Sequence, residues 1–195
     1  MILNPLNYKI TDLNNLIPEK GVLLIAEPFM VDSYFKRAVV LLTSYSEKEV
    51  SGFILNKPLK TSLCDIIPNE FENFDVPIYL GGPVDSSSLF FIHTLGNLLD
   101  DSKHISGNIF FGGNFEQLKI MISNNEVDKS QIMFFMGYSG WSVTQLNDEI
   151  KEDSWLISNI NTPIFNKKTL WYKVLRKKGG KYAMLSNFPE NPTLN

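Results

Sequence analysis

The chain has 195 residues, 44% of them hydrophobic and 20% charged, with a formal net charge of −3 and a pI near 5.4. This suits one domain with a substantial core and excludes a disordered chain or one with global attraction to nucleic acid or anionic lipid. One cysteine, Cys64, excludes an internal disulfide framework and any multi-cysteine metal site, and no apolar run approaches the roughly 18 residues of a membrane helix.

The first 20 residues form a polar extension with apolar positions at Leu13, Leu16 and Ile17, enough for a helical turn or two before Pro18 and Gly21. Its start, MILNPLNYKI, lacks the basic and then apolar regions of a signal peptide, so the expected location is cytoplasmic. Residues 21–195 carry no linker or repeat and are expected to form a single domain.

Three short apolar runs follow, GVLLIAEP, RAVVLLTSY and SGFILNKP, which read as strands buried on both faces. Between the first two, Asp32 is placed to cap a short helix or turn. TSLCDIIPNEF predicts a short helix ended by Pro68, with Cys64 as a small core filler. VPIYLGGP and LFFIHT are further strands, separated by a turn rich in Gly, Pro, Asp and Ser. GNIFFGGNFEQLKIMISNN predicts strand, glycine turn and helix, with Asn114 as N-cap and Leu118, Met121 and Ile122 inward.

After the strand QIMFFMG, the stretch GYSGW predicts a tight turn. Ser142 and Gln145 then form a capping-box pattern for a helix over about 142–152, with Val143, Leu146 and Ile150 on its apolar face. The last helix is expected within NTPIFNKKTLWYKVLRKKGG, capped by Thr162, with Pro163 in its first turn. Leu170, Trp171, Val174 and Leu175 would face the core, and Gly179 and Gly180 would close the helix. The early strands lie too close together for parallel crossovers, so the fold class is α+β, with a mixed, largely antiparallel sheet and helices packed around it.

Catalytic motifs are sparse. Ser139 follows a buried strand, but a nucleophile elbow needs G-x-S-x-G, and Trp141 stands where the second glycine belongs. Both histidines, His93 and His104, precede Ser139. Neither they nor the scattered carboxylates match a metal-ligand spacing, so no catalytic residue, metal or cofactor is assigned. His93 reads as a satisfied strand-end histidine; in an enzyme, a hydrolase or transferase, it would be the only plausible base. LGGPVDSSS and FFGGNFEQL could offer backbone amides to an anion, although paired glycines also serve as bulges or caps.

Lys167, Lys168, Lys173, Arg176, Lys177, Lys178 and Lys181 cluster without an acid, with Trp171 and Tyr172 between them. Phosphate contacts with ring stacking, centred on Lys173, Arg176 and Lys177, are one reading. Compensation of a helix C-terminus, or of the acidic helix at 148–153, is the plainer one.

Taken in order, GVLLIAEPFMVDSYFKRAVVLLTSY, GFILNKPL, PIYLGGPV, FFIHT, FFGGN and MGYSGWSVTQLNDEI with SW after it resemble the AlgH/YqgE family over residues 21–165. The N-K-P turn at 56–58, G-G-P at 81–83 and G-Y-x-G-W…Q-L…E-I at 137–150 are the most specific blocks. The chain departs from the family pattern at Thr144, which stands where glycine usually precedes Q-L, and at Asn114, which replaces a frequent aspartate. The resemblance implies a bacterial cytoplasmic protein whose mixed sheet is partly curled into a small barrel surrounded by helices. It brings no established reaction, and some members carry the label of transcriptional regulator.

If the family motifs share a pocket, its residues here are Arg37, Asn56, Lys57, Gly81, Gly82, His93, Tyr138 and Trp141. The cations would attract an anion, the glycines would offer amides, and Tyr138 with Trp141 would form a ring wall. The alternative is that N-K-P and G-G-P are turns with demanding backbone angles. The functional expectation is a non-enzymatic binding or regulatory protein for a small anionic ligand or a protein partner. Direct nucleic-acid binding through the 167–181 helix is a lesser reading, and no membrane role is expected.

Overall fold

The computed structural model describes residues 16–68, 70–71, 73–165 and 168–187. Leu13 of the predicted N-terminal helix and Lys167 of the basic cluster lie outside the described residues, while Leu16 and Ile17 are not helical. The three leading apolar runs become β1 (Leu23–Ala26), β2 (Val39–Tyr45) and β3 (Val50–Ile54), paired in antiparallel fashion. All four residues of β1 are buried, as continuous apolarity requires of a strand covered on both faces. Asp32 caps a turn rather than a helix, its Oδ1 accepting from the backbone N–H groups of Tyr34 and Phe35 at 2.8 Å each.

β4 (Pro58–Ser62), absent from the sequence reading, leads into α1 (Leu63–Ile66), a single turn. β5 (Pro77–Leu80) is followed by β6 (Val84–His93). The predicted Asp-Ser turn is thus the first half of a strand. Asp85 has φ +47° and the β6 register against its neighbour shifts between Val84 and Leu89, so poor strand formers are accommodated in a bulge. β7 (Lys103–Ser106) and β8 (Ile109–Phe111) form a hairpin before α2 (Phe115–Ser123). Asn114 caps α2 by accepting from Gln117 N–H at 3.1 Å, and Leu118, Met121 and Ile122 are its buried residues.

β9 (Ile132–Trp141) runs straight through GYSGW, so the predicted tight turn is a correction. Tertiary pairing decides this. One edge of β9 pairs in parallel with β5 over Phe134–Met136 and then antiparallel with β3 over Ser139–Trp141. Gly137, at φ +67°, sits at the hand-over. α3 (Val143–Lys151) begins as expected, with Gln145 N–H donating to Ser142 Oγ at 3.1 Å. β10 (Trp155–Ser158) pairs with β1. α4 (Leu170–Lys178) has its N-cap at Thr169, seven residues beyond the predicted Thr162 cap. The intervening loop buries Ile164 to 2% exposure, a role the Thr-Pro start signal did not reveal. Gly179 ends α4 at φ +73°, and α5 (Gly180–Leu185) follows.

The strand path is β10-β1-β2-β3-β9-β6-β8-β7, with β4 beside β5 and β5 beside β9. Among the described residues every pairing is antiparallel except β5 with β9. The sheet curls but does not close into a barrel, because β10 and β7 stand unpaired to each other at its two ends. The curl nevertheless carries β7 back to the start of β1. A Cβ on Gly21 would lie 2.7 Å from Ser106 Cβ, and Lys20 Nζ donates to the His104 carbonyl at 3.1 Å.

One core fills the inside of the curl, joining Leu23, Leu41, Phe53, Phe135 and Ile105 to Trp171, Val174 and Leu175 of α4. A second lies outside β5, β6 and β9 under α2, and a third outside β1–β3 under α3.

Candidate functional site

Among the described residues, the motif residues gather at separate places rather than around one cavity. Asn56 clamps the turn before β2: its Oδ1 accepts from Val39 N–H and its Nδ2 donates to the Arg37 carbonyl, both at 2.9 Å. That grip holds Arg37 at φ +54°, where a non-glycine residue needs support. The Arg37 guanidinium lies against the rings of Trp171 and Tyr172, 4.9 and 5.3 Å from their centroids, and donates to the Tyr172 hydroxyl. Lys57 Nζ donates to the Ser33 carbonyl at 3.3 Å. These three residues therefore fix the 32–39 turn onto the sheet and α4.

Gly81 and Gly82 belong to a second place, where the chain passes β9. A Cβ on Gly81 would fall 2.0 Å from the Gly137 carbonyl oxygen, and one on Gly82 would fall 2.4 Å from Ser139 N. The Gly81 carbonyl accepts from Ile54 N–H at 3.0 Å and from Ser139 Oγ at 2.9 Å. Ser139 is fully buried. G-G-P and G-Y-S-G are thus two halves of one backbone interlock, and the serine hydroxyl is a strut inside it.

His93, also fully buried, marks a third place. Its Nδ1 accepts from Leu95 N–H at 3.2 Å, so Nε2 carries the proton and donates to the Gly112 carbonyl at 2.8 Å. Ser102 Oγ, 3.1 Å from Nε2, itself donates to the Leu99 carbonyl at 2.6 Å. Burial pushes the His93 pKa down, only partly opposed by the Gly112 contact. With both ring nitrogens engaged, His93 ties β6 to the glycine turn before α2 and offers no free lone pair to a substrate.

Trp141 and Tyr138 point to opposite faces of β9, being three residues apart on a strand, so they build no common wall. Trp141 Nε1 and Trp155 Nε1 both donate to Glu149 Oε2, at 3.0 and 2.7 Å, while Gln145 Nε2 donates to Oε1 at 2.9 Å. Phe35 packs against both indoles at 5.6 and 5.3 Å. An adjoining recess of about 470 Å³ contains Glu27, Asp32 and Glu149 beside Phe35 and Trp155. Its carboxylates already have internal duties. Asp32 and Glu149 hold the contacts given above, and Glu27 accepts from Phe29 N–H, although burial leaves its pKa raised.

Of the eight motif residues, only Tyr138 reaches a second cavity, a cleft of about 430 Å³ inside the open end of the curl. Phe53, Phe90, Phe111 and Tyr138 supply its rings. Phe53 lies beneath, 5.7 Å from Phe90 and from Phe111, and Tyr138 meets Phe90 edge-on at 5.8 Å. Phe90, Phe111 and Tyr138 are each half-buried. Thr43, Ser44, Ser51 and Glu49 line the β2–β3 side, and Lys20, Lys103, His104 and Ile105 line the β7 side. The volume and the mix of rings with a few polar groups suit a small-molecule site.

Of these rings the sequence points to Tyr138 alone, because Phe53, Phe90 and Phe111 stand within apolar strand runs. The usable signal was period two in LFFIHT and NIFFGG. Phe90 and Phe111 face the inner core, whereas Phe91 packs in the outer one and Phe110 stacks on His93 at 5.8 Å.

The two rings of the basic helix are engaged within the fold, the half-buried Tyr172 lying against the Arg37 guanidinium, which is 5.3 Å from its ring centroid. Trp171 is fully buried and donates its Nε1 to the Ala26 carbonyl at 2.8 Å. Lys178 Nζ donates to the Ile157 carbonyl at 2.9 Å, Lys177 to the Asn161 carbonyl, and Arg176 to Asn187 Oδ1 at 3.3 Å. Lys173, Arg176 and Lys177 remain exposed. Among the described residues no ion pair joins this helix to α3, no group of three or more His, Cys, Asp or Glu is arranged to hold a metal ion, and no helix is long and apolar enough to cross a membrane.

A family model described as AlgH-like, DUF179, matches residues 23–183. The chain belongs to the AlgH-like family. A UPF0301 protein of Parabacteroides distasonis is 42% identical over 196 residues, covering 96% of each chain. One from Chlorobaculum parvum is 38% identical over 178 residues, covering 90% of this chain and 95% of that one. Among solved structures, protein DIP2367 from Corynebacterium diphtheriae aligns with a TM-score of 0.77 at 20% identity, covering 96% of this chain and all of that one (100%). The solution structure of the AlgH protein from Pseudomonas aeruginosa aligns at 0.67, also with 20% identity, over 94% of this chain and 96% of that one. These two likenesses establish the shared AlgH-like fold. The interlock, the His93 tie and the ring-lined cleft are all features of this chain's own residues within that fold.

Proposed function

We propose that this AlgH-like chain is a non-enzymatic, cytoplasmic binding protein whose inner-face cleft takes a small anionic ligand. The observation that carries this reading is the cleft itself, with three half-buried rings around a cavity of about 430 Å³ and two lysines at one lip. The groups best suited to catalysis count against an enzyme reading, since Ser139 and His93 are buried and committed to structural hydrogen bonds. A regulatory role would follow from ligand occupancy and would not require the basic helix to contact DNA.

Native mass spectrometry of the purified chain, before and after denaturation, tests the reading. The expected result is a stoichiometric small molecule retained under native conditions and lost from the Phe90→Ala variant. A bare chain would count against a retained small ligand and favour a protein partner instead. A ligand kept undiminished by Phe90→Ala would place binding elsewhere.

A further inference from the structure

The cleft is polarised, and its polarity defines a chemical class. On the β7 lip, Lys20 and Lys103 bring two positive charges. Lys20 is anchored there by its donation to the His104 carbonyl at 3.1 Å. The opposite lip, from the β2–β3 hairpin, carries Glu49 with the hydroxyls of Ser44 and Ser51. Between the lips lie the exposed faces of Phe90, Phe111 and Tyr138.

We infer that the ligand is a flat aromatic or heteroaromatic molecule with one anionic group at its edge. Its ring packs on Phe90, Phe111 and Tyr138, and its anion meets Lys20 and Lys103. This rests on the reading of the cleft as the ligand site and adds what the site selects. A ring without charge leaves the lysine lip unused. An anion without a ring leaves three aromatic faces in water, although stacking on such faces is a main source of affinity for planar ligands. Glu49 repels a second anion on the far side and accepts from a donor there, so a ligand with charge at one end and an amino or hydroxyl group at the other fits best. A carboxylate or a phosphate satisfies the lysines equally.

Calorimetric titration of the full chain with AMP, adenosine and ribose 5-phosphate separates these contributions, and 1-naphthoate replaces phosphate by carboxylate. The expected result is that AMP or 1-naphthoate binds at least about tenfold more tightly than adenosine or ribose 5-phosphate. Phe90→Ala should weaken that binding about tenfold. Lys103→Glu should weaken it about fivefold at low salt, with less effect as salt is raised. Adenosine binding as tightly as AMP, yet sensitive to Phe90→Ala, would overturn the anionic requirement while leaving the cleft as the site. Equal binding of ribose 5-phosphate and AMP would likewise overturn the ring requirement. If no probe bound, or if binding ignored both substitutions, the class assignment would fall. Native mass spectrometry of the Phe90→Ala variant would then decide separately whether the cleft holds any ligand.

Discussion

The interlock around Gly81, Gly82, Gly137 and Ser139, where the β5–β6 connection crosses β9, and the ring-lined cleft meet along β9, yet they are opposite kinds of structure. The interlock is rich in sequence motif and packed so closely that no Cβ fits at Gly81, Gly82 or Gly137. The cleft is open, and its lining is gathered from β2, β3, β6, β7, β8 and β9 together with Lys20 and Glu49 from the connections. The comparison teaches that the most specific motif residues of this chain mostly mark where backbones cross, and only Tyr138 among them reaches the cleft, whose other rings come from the apolar strand positions of less specific blocks.

Gly81→Ala should break the comparison hardest. The added methyl would meet the Gly137 carbonyl oxygen at 2.0 Å, a clash between backbones that a side-chain rotation cannot relieve. We expect a loss of about 3 kcal/mol or more in denaturant unfolding. Near-native stability would mean that the G-G-P motif is not a packing device and would return it to consideration as a binding turn.

Glu149→Ala comes next, because it leaves two indole N–H groups without their acceptor, on Trp141 and Trp155, which are 5% and 1% exposed. A loss of about 2–4 kcal/mol is expected. Glu149→Gln, whose amide oxygen can still accept, should recover part of it. Equal effects from both substitutions would show that charge rather than acceptance holds the tryptophans.

His93 sharpens the contrast through pH. Its folded pKa is lowered by burial, so the folded state favours the neutral ring. The stability it contributes is full above the unfolded histidine pKa of about 6.5 and is lost as pH falls below that toward the lowered folded value. Unfolding free energy should therefore decline as pH drops below about 6.5, and His93→Gln should flatten that decline. An unchanged pH profile in the variant would detach His93 from the acid response.

The smallest effect is expected at the exposed helix surface. Replacing Lys173, Arg176 and Lys177 together with glutamine should shift stability by no more than about 1 kcal/mol and leave ligand binding in the cleft unchanged. A large loss of RNA or DNA retention in this variant, at physiological salt, would revive the nucleic-acid reading.

Much of the local architecture was legible in the residues. Periodicity and capping chemistry placed β1–β3, α2 and α3, because Asn114 and Ser142 satisfy the first N–H groups of a helix whatever surrounds it. The same local rules failed at VDSSS and GYSGW. Both are strands only because β6 and β9 lie side by side with their neighbours, and pairing across the sheet outweighs weak strand propensity. The Thr162–Pro163 start signal failed for a related reason, since burying Ile164 takes precedence over a helix that could have formed there.

The sequence by itself determined the α+β class, the largely antiparallel order of the early strands and the family. Those follow from apolar periodicity, short connections and a fixed order of motif blocks. Only the tertiary structure decided that Ser139 and His93 are buried struts and that Tyr138 and Trp141 face apart. It also decided that Lys20, Phe53, Phe90, Lys103 and Phe111 share a cavity. Which residues meet there depends on the curl and register of the sheet, and these arise from contacts between distant segments that no local pattern encodes.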